Sequence, residues 1–512
     1  MGNEQTVDFI PNSKLLRTLL VIGLFALGFG IRLYDASNRP FYELSVRQFH
    51  SAVIAKGYYY ALADIPADQQ EAVVLNRDRQ PINEPQITEQ IVGTIWYIIG
   101  SDNILVPAAV TSLFWLIGGL FLFLTAREFL SFDASLIVLS VFLFLPHGII
   151  DSNNFQPDSL MLMGVLISMY LIVQYHKEHS LRWLILAGVV SGVTIFAKLQ
   201  SAFIIAGFYA VLGIYHRGFF KMVLSRDSIL YAVLALTPIA LYLFDGFFIS
   251  GHFHENASGR ILPQLFLDPD YWRGWLKLIN NTVGFSGFVI GLTGLLLAKG
   301  KFRYTILGLL AGYLFLGSVF TWNIHTHRYY HLPLTPFVAL SMGSIATVIF
   351  ANLRKEHDYP LARLAVVGLW LLGIGFGMLV VIADGEDQIN YQSEVDDALA
   401  IGEYLQHNTN VLYLSESYGL PFIYYSEVAG DDWLQTNENR WRGIVGLSVD
   451  RTPDDVIALT EANEIIPEPE YFVITDMDDW AAQPELEIAL NDNYTLVVET
   501  DTYLIYDMRA EQ

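Results

Sequence analysis

Carboxylate side chains stand at the edges of long apolar segments of this chain. Asp35 and Glu43 follow the first apolar segment, and Asp158 opens another one. A carboxylate at such an edge can take a proton from an acceptor hydroxyl group and so act as a general base. The alternatives are structural: Asp35 and Glu43 could solvate a helix end, and Asp158 could cap its helix.

Two further charged residues are isolated among apolar residues. Glu84 precedes a short apolar stretch, where it could orient a substrate, ligate a metal or favour a helix N-terminus electrostatically. Lys198 lies between two apolar segments with no other charge nearby. Such a lysine can extend its amine to the membrane edge or pair with a lipid phosphate, and an ionisable group at this depth is a functional candidate.

A cluster of histidines and tyrosines follows later in the chain. It comprises His325, His327, Arg328, Tyr329, Tyr330 and His331. These side chains offer hydrogen-bond donors or positive charge to an anion, although tyrosine is also common where a helix meets the membrane surface. The histidine spacing matches no standard zinc pattern.

The composition indicates what kind of protein holds these residues. Of 512 residues, 53% are hydrophobic and 16% are charged, whereas about 25% are charged in soluble domains. Runs such as Leu15–Leu33 and Leu361–Ala383 are long enough to cross a bilayer core. The chain has no cysteine, which excludes disulfides, cysteine zinc sites and thiol nucleophiles. The sequence therefore predicts a polytopic α-helical membrane protein.

We expect about eleven transmembrane helices. An apolar stretch at 91–100 is too short to cross and is predicted to be an interfacial helix. The predicted spans are 15–33, 104–125, 132–148, 158–175, 182–197, 200–215, 229–248, 283–298, 303–321, 331–350 and 362–383.

The distribution of Lys and Arg predicts the orientation in the cell membrane. The short loops on one side collect 14 of these residues, and such loops stay in the cytoplasm. The N-terminus is then cytoplasmic, and an odd number of spans places the C-terminal domain outside. The long loops, which hold most of the polar residues, lie on this extracytoplasmic face, where we expect the chemistry.

The charge divides the chain into two predicted domains. From Gly385 onward, 4 Lys and Arg oppose 28 Asp and Glu. The prediction is a transmembrane module at 1–384, with a long first outer loop at 34–103, and an acidic soluble domain at 385–512. A helix at 394–407 and strands at 411–414, 471–475, 495–498 and 503–506 predict an α/β fold for this domain. Its acidity argues against nucleic acid as a partner.

The order of several short motifs resembles a known family. The motifs are Tyr34-Asp35, Arg47-Gln48, Ser51 to Gly57, Glu84-Pro85, Gln156-Pro-Asp158, Ala197-Lys198 and His327-Arg-Tyr-Tyr-His-Leu-Pro333. In this order they resemble the membrane glycosyltransferases of the C superfamily, especially the bacterial and archaeal branch related to the protein O-mannosyltransferases and the lipid A aminoarabinose transferases. The resemblance covers most of residues 15–350.

This resemblance implies a function. Such enzymes transfer a sugar from a polyprenyl-phosphate carrier to an acceptor on the extracytoplasmic face, usually with inversion. An acidic residue of the first outer loop is the base, which implies Asp35. Relatives often differ at the positions of Leu44 and His50, so Glu43 is the other candidate. The implied substrate-binding residues are Arg47, Gln48, His50, Glu84, Asp158, Lys198, His327, Arg328, Tyr329 and Tyr330, with Lys198 and His327 at the carrier phosphate.

The remaining expectations concern partners and rival functions. The expected partners are the lipid-linked sugar donor, the bilayer, and an acceptor that is a protein, a lipid or a glycan. The sequence identifies no definite cofactor, and Asp35, Glu84 and Asp158 could hold a divalent metal. The main rival is a transporter or flippase of lipid-linked sugars, which predicts inverted repeats and polar residues at the membrane midplane. The sequence shows neither feature. A non-catalytic sensor is the third alternative.

Overall fold

The structure is a computed structural model of the whole chain. It describes residues 10–34, 36, 41, 45–82, 84–251, 253, 261–355, 360–386, 392–436, 452–461, 466 and 468–509.

Apolar helices dominate the described part of the chain. Seven of them are long and apolar enough to cross a membrane: Lys14–Leu33, Leu105–Arg127, Asp158–Glu178, Arg226–Ile249, Gly300–Val319, Arg328–Leu353 and Leu361–Ala383. Two bent helix pairs also pass the same test of length and hydropathy, namely Phe132–Phe144 with Pro146–Asn153 and Pro269–Val283 with Phe285–Leu297. Shorter apolar helices span Ile87–Ile99, Leu181–Ala197 and Ser201–Arg217. Multiple apolar helices of this kind identify a multi-pass membrane protein.

The ends and bends of these helices follow from local sequence. Ser13 and Ser131 each accept a backbone N–H bond from the first turn of the helix that they precede. Pro146, which lacks an N–H group, begins the second half of one bent pair. Gly284 separates the other pair with a φ of 72°, a conformation that glycine adopts without steric cost. The two bends are 57° and 85°.

Every predicted span coincides with a helix of the described chain, as does the predicted interfacial helix. The correspondence is least simple at 283–298, because only Phe285–Leu297 is continuously apolar, and the preceding helix Pro269–Val283 is amphipathic. The segments at 182–197 and 200–215 form helices of 17 residues each. Polytopic helical architecture is therefore confirmed, while the number of crossings stays a prediction.

Close helix packing depends on glycines. A Cβ atom at Gly312 would lie 2.5 Å from the carbonyl oxygen of Ile204, and one at Gly207 would lie 2.4 Å from the Cα atom of Gly312. The helices Ser201–Arg217 and Gly300–Val319 thus touch backbone to backbone. Small residues are common at such crossings in membranes because they permit this approach.

The chain divides into two compact units. The first contains 1–39, 82–85 and 107–387, and the second contains 40–81, 86–106 and 388–512. Most of the long first outer loop therefore packs with the C-terminal segment. The predicted boundary at 384/385 is close to one of these divisions.

A five-stranded sheet lies in the second unit. Its strands are β1 (Val411–Leu414), β2 (Gly430–Asp432), β3 (Tyr471–Ile474), β4 (Thr495–Glu499) and β5 (Leu504–Asp507). The order is β2-β1-β3-β5-β4, with β1 parallel to β2 and β3, and β5 antiparallel to β3 and β4. The predicted partly parallel α/β fold is confirmed. The helices of this segment are Gln392–Tyr404, Glu416–Gly419, Leu420–Ser426, Pro453–Glu461, Met477–Ala481 and Pro484–Asn493.

Helices of the first outer loop complete the second unit: Ser45–Tyr60, Ala67–Arg79 and Ile87–Ile99. Lys56, which is 5% exposed, lies among residues of this unit. Its Nζ atom is 2.7 Å from Glu427 Oε1 and 3.4 Å from Asp102 Oδ2, and it donates to the Tyr424 carbonyl oxygen at 2.9 Å. This buried ion cluster joins the outer loop to the C-terminal segment.

The glycine crossing generates a stability prediction. Gly312→Ala should lower the thermal midpoint of the purified protein, because overpacking against backbone costs about 1–3 kcal/mol. Gly368→Ala is the matched control, since a Cβ atom there meets no atom within 4 Å. Equal midpoints of the two variants in the same detergent would contradict the close crossing.

Candidate functional site

Lys198 lies at a break between two helices. The helix Leu181–Ala197 ends at this residue, whose φ of −156° and ψ of 111° are extended, and the next helix begins at Ser201. The extended conformation interrupts the apolar helical surface and turns the lysine inward. Its side chain is 1% exposed in the described structure. The membrane-edge alternative for Lys198 is therefore not what the structure shows.

The Lys198 ammonium group is held by two carboxylates and an aromatic ring. Its Nζ atom donates to Asp158 Oδ2 at 2.8 Å and lies 3.6 Å from Glu84 Oε1. It also lies 5.3 Å from the centre of the Tyr329 ring, within range of a cation–π interaction. Four of the predicted site residues, which are far apart in sequence, are thus brought together.

Asp158 occupies the first turn of the helix Asp158–Glu178 and is 2% exposed. The N-cap position is held by Pro157, and the Asp158 carboxylate pairs with Lys198, so the ion pair rather than a cap explains its position. The positive end of the helix dipole adds to the stabilisation of the carboxylate. The second oxygen, Oδ1, is buried without a hydrogen-bond partner among the described residues.

Two glutamines add buried acceptors beside this ion pair in sequence. The Oε1 atoms of Gln156 and Gln200 are buried and accept no hydrogen bond from any residue that the structure describes. The amide of Gln200 donates to the Tyr330 hydroxyl at 3.1 Å. An unused buried acceptor is costly unless a ligand or water donates to it. Hydroxyl groups of a bound molecule would satisfy these oxygens.

The predicted His and Tyr cluster is divided between two elements: His325 lies in the helix Thr321–Thr326, and Arg328–His331 form one turn before a long helix. Tyr329 and Tyr330 are buried, with ring centres 5.2 Å apart, and the His327 ring lies 5.4 Å from that of Tyr329. Arg328 donates to Asp151 Oδ1 at 2.7 Å. His331 is wholly buried and contacts the Tyr313 hydroxyl and the Ile324 carbonyl group, so it is a packing residue.

Sequence reasoning did not select Asp151 and Arg32. Asp151 is buried and pairs with Arg328, and Arg32 is wholly buried and donates to Ser152 Oγ at 2.6 Å. Arg32 forms no ion pair with any described residue. The sequence feature that could have identified these two residues is that both are charged and lie at the ends of apolar segments. It was overlooked because an arginine at a helix end ordinarily faces water.

Arg47, Gln48 and His50 belong to the second unit, in the helix Ser45–Tyr60. Gln48 is buried, and His50 is half-buried. Burial and, to a smaller extent, the positive charge of Arg47 lower the pKa of His50 to about 4. His50 is accordingly neutral near pH 7 and presents a hydrogen-bond donor and an acceptor rather than a charge.

The two candidate bases, Asp35 and Glu43, lie outside the described residues. Within the described ranges, no three His, Asp or Glu side chains are grouped in a way that could hold a metal ion. In the structure, the positive charge that lies between the Glu84 and Asp158 carboxylates is the ammonium group of Lys198. The roles predicted for these residues stay predictions.

Comparison with known proteins shows which family and which solved structures this chain is similar to. The family model described as dolichyl-phosphate-mannose-protein mannosyltransferase matches residues 84–243, a range that contains Glu84, Asp158 and Lys198. ArnT from Cupriavidus metallidurans, solved bound to undecaprenyl phosphate, superposes with a TM-score of 0.63 at 14% identity, covering 97% of this chain and 99% of that one. The resemblance to the membrane glycosyltransferases of the C superfamily is confirmed.

A second solved structure has the same fold. The archaeal oligosaccharyltransferase AglB from Archaeoglobus fulgidus, in complex with an inhibitory peptide and a dolichol-phosphate, matches with a TM-score of 0.56 at 13% identity. The match covers 98% of this chain and 74% of that one. No curated protein matches by sequence. The chain is thus similar to this mannosyltransferase family over residues 84–243 and shares its fold with ArnT and AglB.

The buried ion pair of Asp158 and Lys198 predicts that substitutions at the two residues have non-additive effects on stability. Asp158→Asn and Lys198→Met should each destabilise the protein by about 3–5 kcal/mol, because each leaves the other charge buried and unpaired. The double variant should be less destabilised than the sum of the two, by at least about 1 kcal/mol. Thermal unfolding in detergent measures all three variants.

The exposed pair Asp270–Arg273 is the control for this cycle. Its side chains are 77% and 79% exposed, and exposed pairs contribute about 1 kcal/mol or less. Additive effects at Asp158 and Lys198 would contradict the buried ion pair.

Proposed function

We propose that the protein transfers a sugar from a polyprenyl-phosphate carrier to an acceptor hydroxyl group on the extracytoplasmic face of the cell membrane, with inversion at the anomeric carbon. The observation that carries this proposal is the buried Lys198 between Glu84 and Asp158, within the range that the mannosyltransferase family model matches. The N-terminus is then cytoplasmic and the C-terminal domain extracytoplasmic, as the Lys and Arg distribution favours.

The reaction requires positive charge at the departing phosphate. The bond between the anomeric carbon and the phosphate oxygen breaks, and the carrier leaves as a phosphate monoester that needs no general acid. Fixed cations in a water-poor site stabilise the charge that develops on this oxygen. Lys198 is the first candidate for this role, and His327 and Arg328 belong to the turn that carries Tyr329.

The acceptor hydroxyl group must lose its proton as its oxygen bonds to the anomeric carbon. A carboxylate of the first outer loop takes this proton in our proposal, and Asp35 and Glu43 are the two candidates. General-base catalysis of this kind contributes roughly 10²–10⁴-fold. The sugar hydroxyl groups would donate to three buried oxygen atoms that accept no hydrogen bond from the described residues: Gln156 Oε1, Asp158 Oδ1 and Gln200 Oε1. Arg47, Gln48 and His50 are proposed to contact substrate as well.

The balance of charges around Lys198 leaves room for a divalent metal ion in the proposed site. Around the described ion pairs, Glu84, Asp151 and Asp158 oppose Lys198 and Arg328. A phosphate group would add negative charge to this set, so further positive charge has to come from Arg32, from a protonated histidine or from a bound cation. The free Oδ1 atom of Asp158 suits a hard divalent metal. Glu84 and Asp35 are the other proposed ligands, and the metal would neutralise the leaving phosphate.

The test is a turnover assay with the full-length protein in lipid nanodiscs. Radiolabelled polyprenyl-phosphate mannose, glucose and aminoarabinose are supplied in turn with candidate protein, lipid and glycan acceptors, and loss of label from the carrier is followed. Asp35→Asn or Glu43→Gln should lower kcat about 10²–10⁴-fold, whichever residue is the base. Lys198→Gln should lower turnover, and a chelator should do so if the metal takes part.

Asp64→Asn is the matched control, because Asp64 is an exposed carboxylate of the same outer loop. It should keep wild-type turnover. Wild-type turnover in both Asp35→Asn and Glu43→Gln would contradict the assigned base. Carriers that cross the membrane unchanged at the same rate in every variant would instead support a transporter.

A further inference from the structure

A cavity with several polar side chains in its wall lies far from Lys198. It has a volume of about 260 Å³ and lies where the helices Asp158–Glu178, Ser201–Arg217 and Gly300–Val319 approach one another. His176, Lys177, His216 and Lys301 line it, together with Glu128 and Thr305. His176 is 18 residues beyond Asp158 on the same helix, which corresponds to about 27 Å along the helix axis. The cavity is thus at the opposite end of the membrane module, on the side predicted to face the cytoplasm.

His176 is buried in the wall of this cavity with no hydrogen bond. It is 4% exposed, and neither of its ring nitrogens has a partner among the described residues. Its ring stacks on that of His216, with centres 4.6 Å apart and planes 6° from parallel. A neutral imidazole always carries one N–H donor, and leaving it buried without an acceptor costs stability. An acceptor oxygen in the cavity would remove this cost.

The charges around the cavity favour an anion. Lys177 is already paired with Glu128, at 2.7 Å. Lys301 forms no ion pair within the described ranges and stands in the first turn of Gly300–Val319. Helix N-termini attract anions because their N–H groups and dipole present positive charge. An adjoining cavity, which also contacts His216, adds Lys221. Arg217 lines this cavity too, but it is paired with Asp227 at 3.0 Å.

We propose that this cavity binds a phosphate group at the cytoplasmic membrane surface. The volume of about 260 Å³ suits a compact head group, since pockets for whole drug-sized molecules are about 300–1,000 Å³. Basic pockets between helices at the cytoplasmic surface bind the phosphates of anionic lipids. The same chemistry fits a lipid phosphodiester or a free phosphate ion, and both are retained as sources. The site is independent of the sugar-transfer reaction.

The experiment measures binding rather than activity. Full-length protein is purified in detergent, stripped of lipid and titrated with short-chain phosphatidylglycerol, short-chain phosphatidylcholine or inorganic phosphate, and bound ligand is counted by native mass spectrometry. Lys301→Gln should weaken phosphatidylglycerol binding about tenfold because it removes a positive charge, and His176→Leu should do so because it removes the imidazole donor to the phosphate. Lys299→Gln is the matched control, since Lys299 is exposed, precedes the same helix and does not line the cavity.

Each outcome decides the proposal. Phosphatidylglycerol binding that falls in the two cavity variants, but not in Lys299→Gln, supports a lipid phosphodiester site. If only the binding of inorganic phosphate falls in the two cavity variants and is kept in Lys299→Gln, the natural ligand is a soluble phosphate. Equal binding of every ligand to the wild type and to Lys301→Gln would overturn the proposal, and Lys301→Gln keeps this outcome interpretable if His176→Leu does not fold.

Discussion

The cost of placing charge in an apolar interior governs the site of this protein. Lys198 is 1% exposed and is tolerated because Asp158 lies 2.8 Å from its amine. Each charge requires the other, since either one alone would be buried without compensation. The pairing fixes the start of the helix Asp158–Glu178 against the break that follows Leu181–Ala197. Tyr329 and Glu84 gain their positions around the same amine.

The same constraint explains why the polar residues are concentrated. Several polar groups lie near helix ends: the unused acceptor atoms of Gln156, Asp158 and Gln200, the buried Asp151 with its half-buried partner Arg328, and the buried Arg32. A membrane interior tolerates few such groups, and those that persist usually mark a functional site. Their unused acceptors suit a ligand rich in hydroxyl groups, as a sugar is.

Most helices and strands were predictable from the sequence, because long apolar runs and short apolar strand segments are local signals. Strand β2 was not, since its three residues include two aspartates and no apolar side chain. The close approach of Lys198 to Asp158 was also beyond a local pattern, because 40 residues separate them. The association of the outer-loop helices with the C-terminal segment rests on the buried contacts of Lys56, which its sequence neighbours do not reveal.

We propose that Lys198 receives the carrier phosphate. The most direct measurement is a cryo-EM structure of the full-length protein in nanodiscs with a polyprenyl phosphate. Our account predicts a phosphate oxygen within about 4 Å of Lys198 Nζ, the separation of an ion pair, and a change in the Asp158–Lys198 contact. A phosphate bound elsewhere, with this contact intact at 2.8 Å, would contradict it.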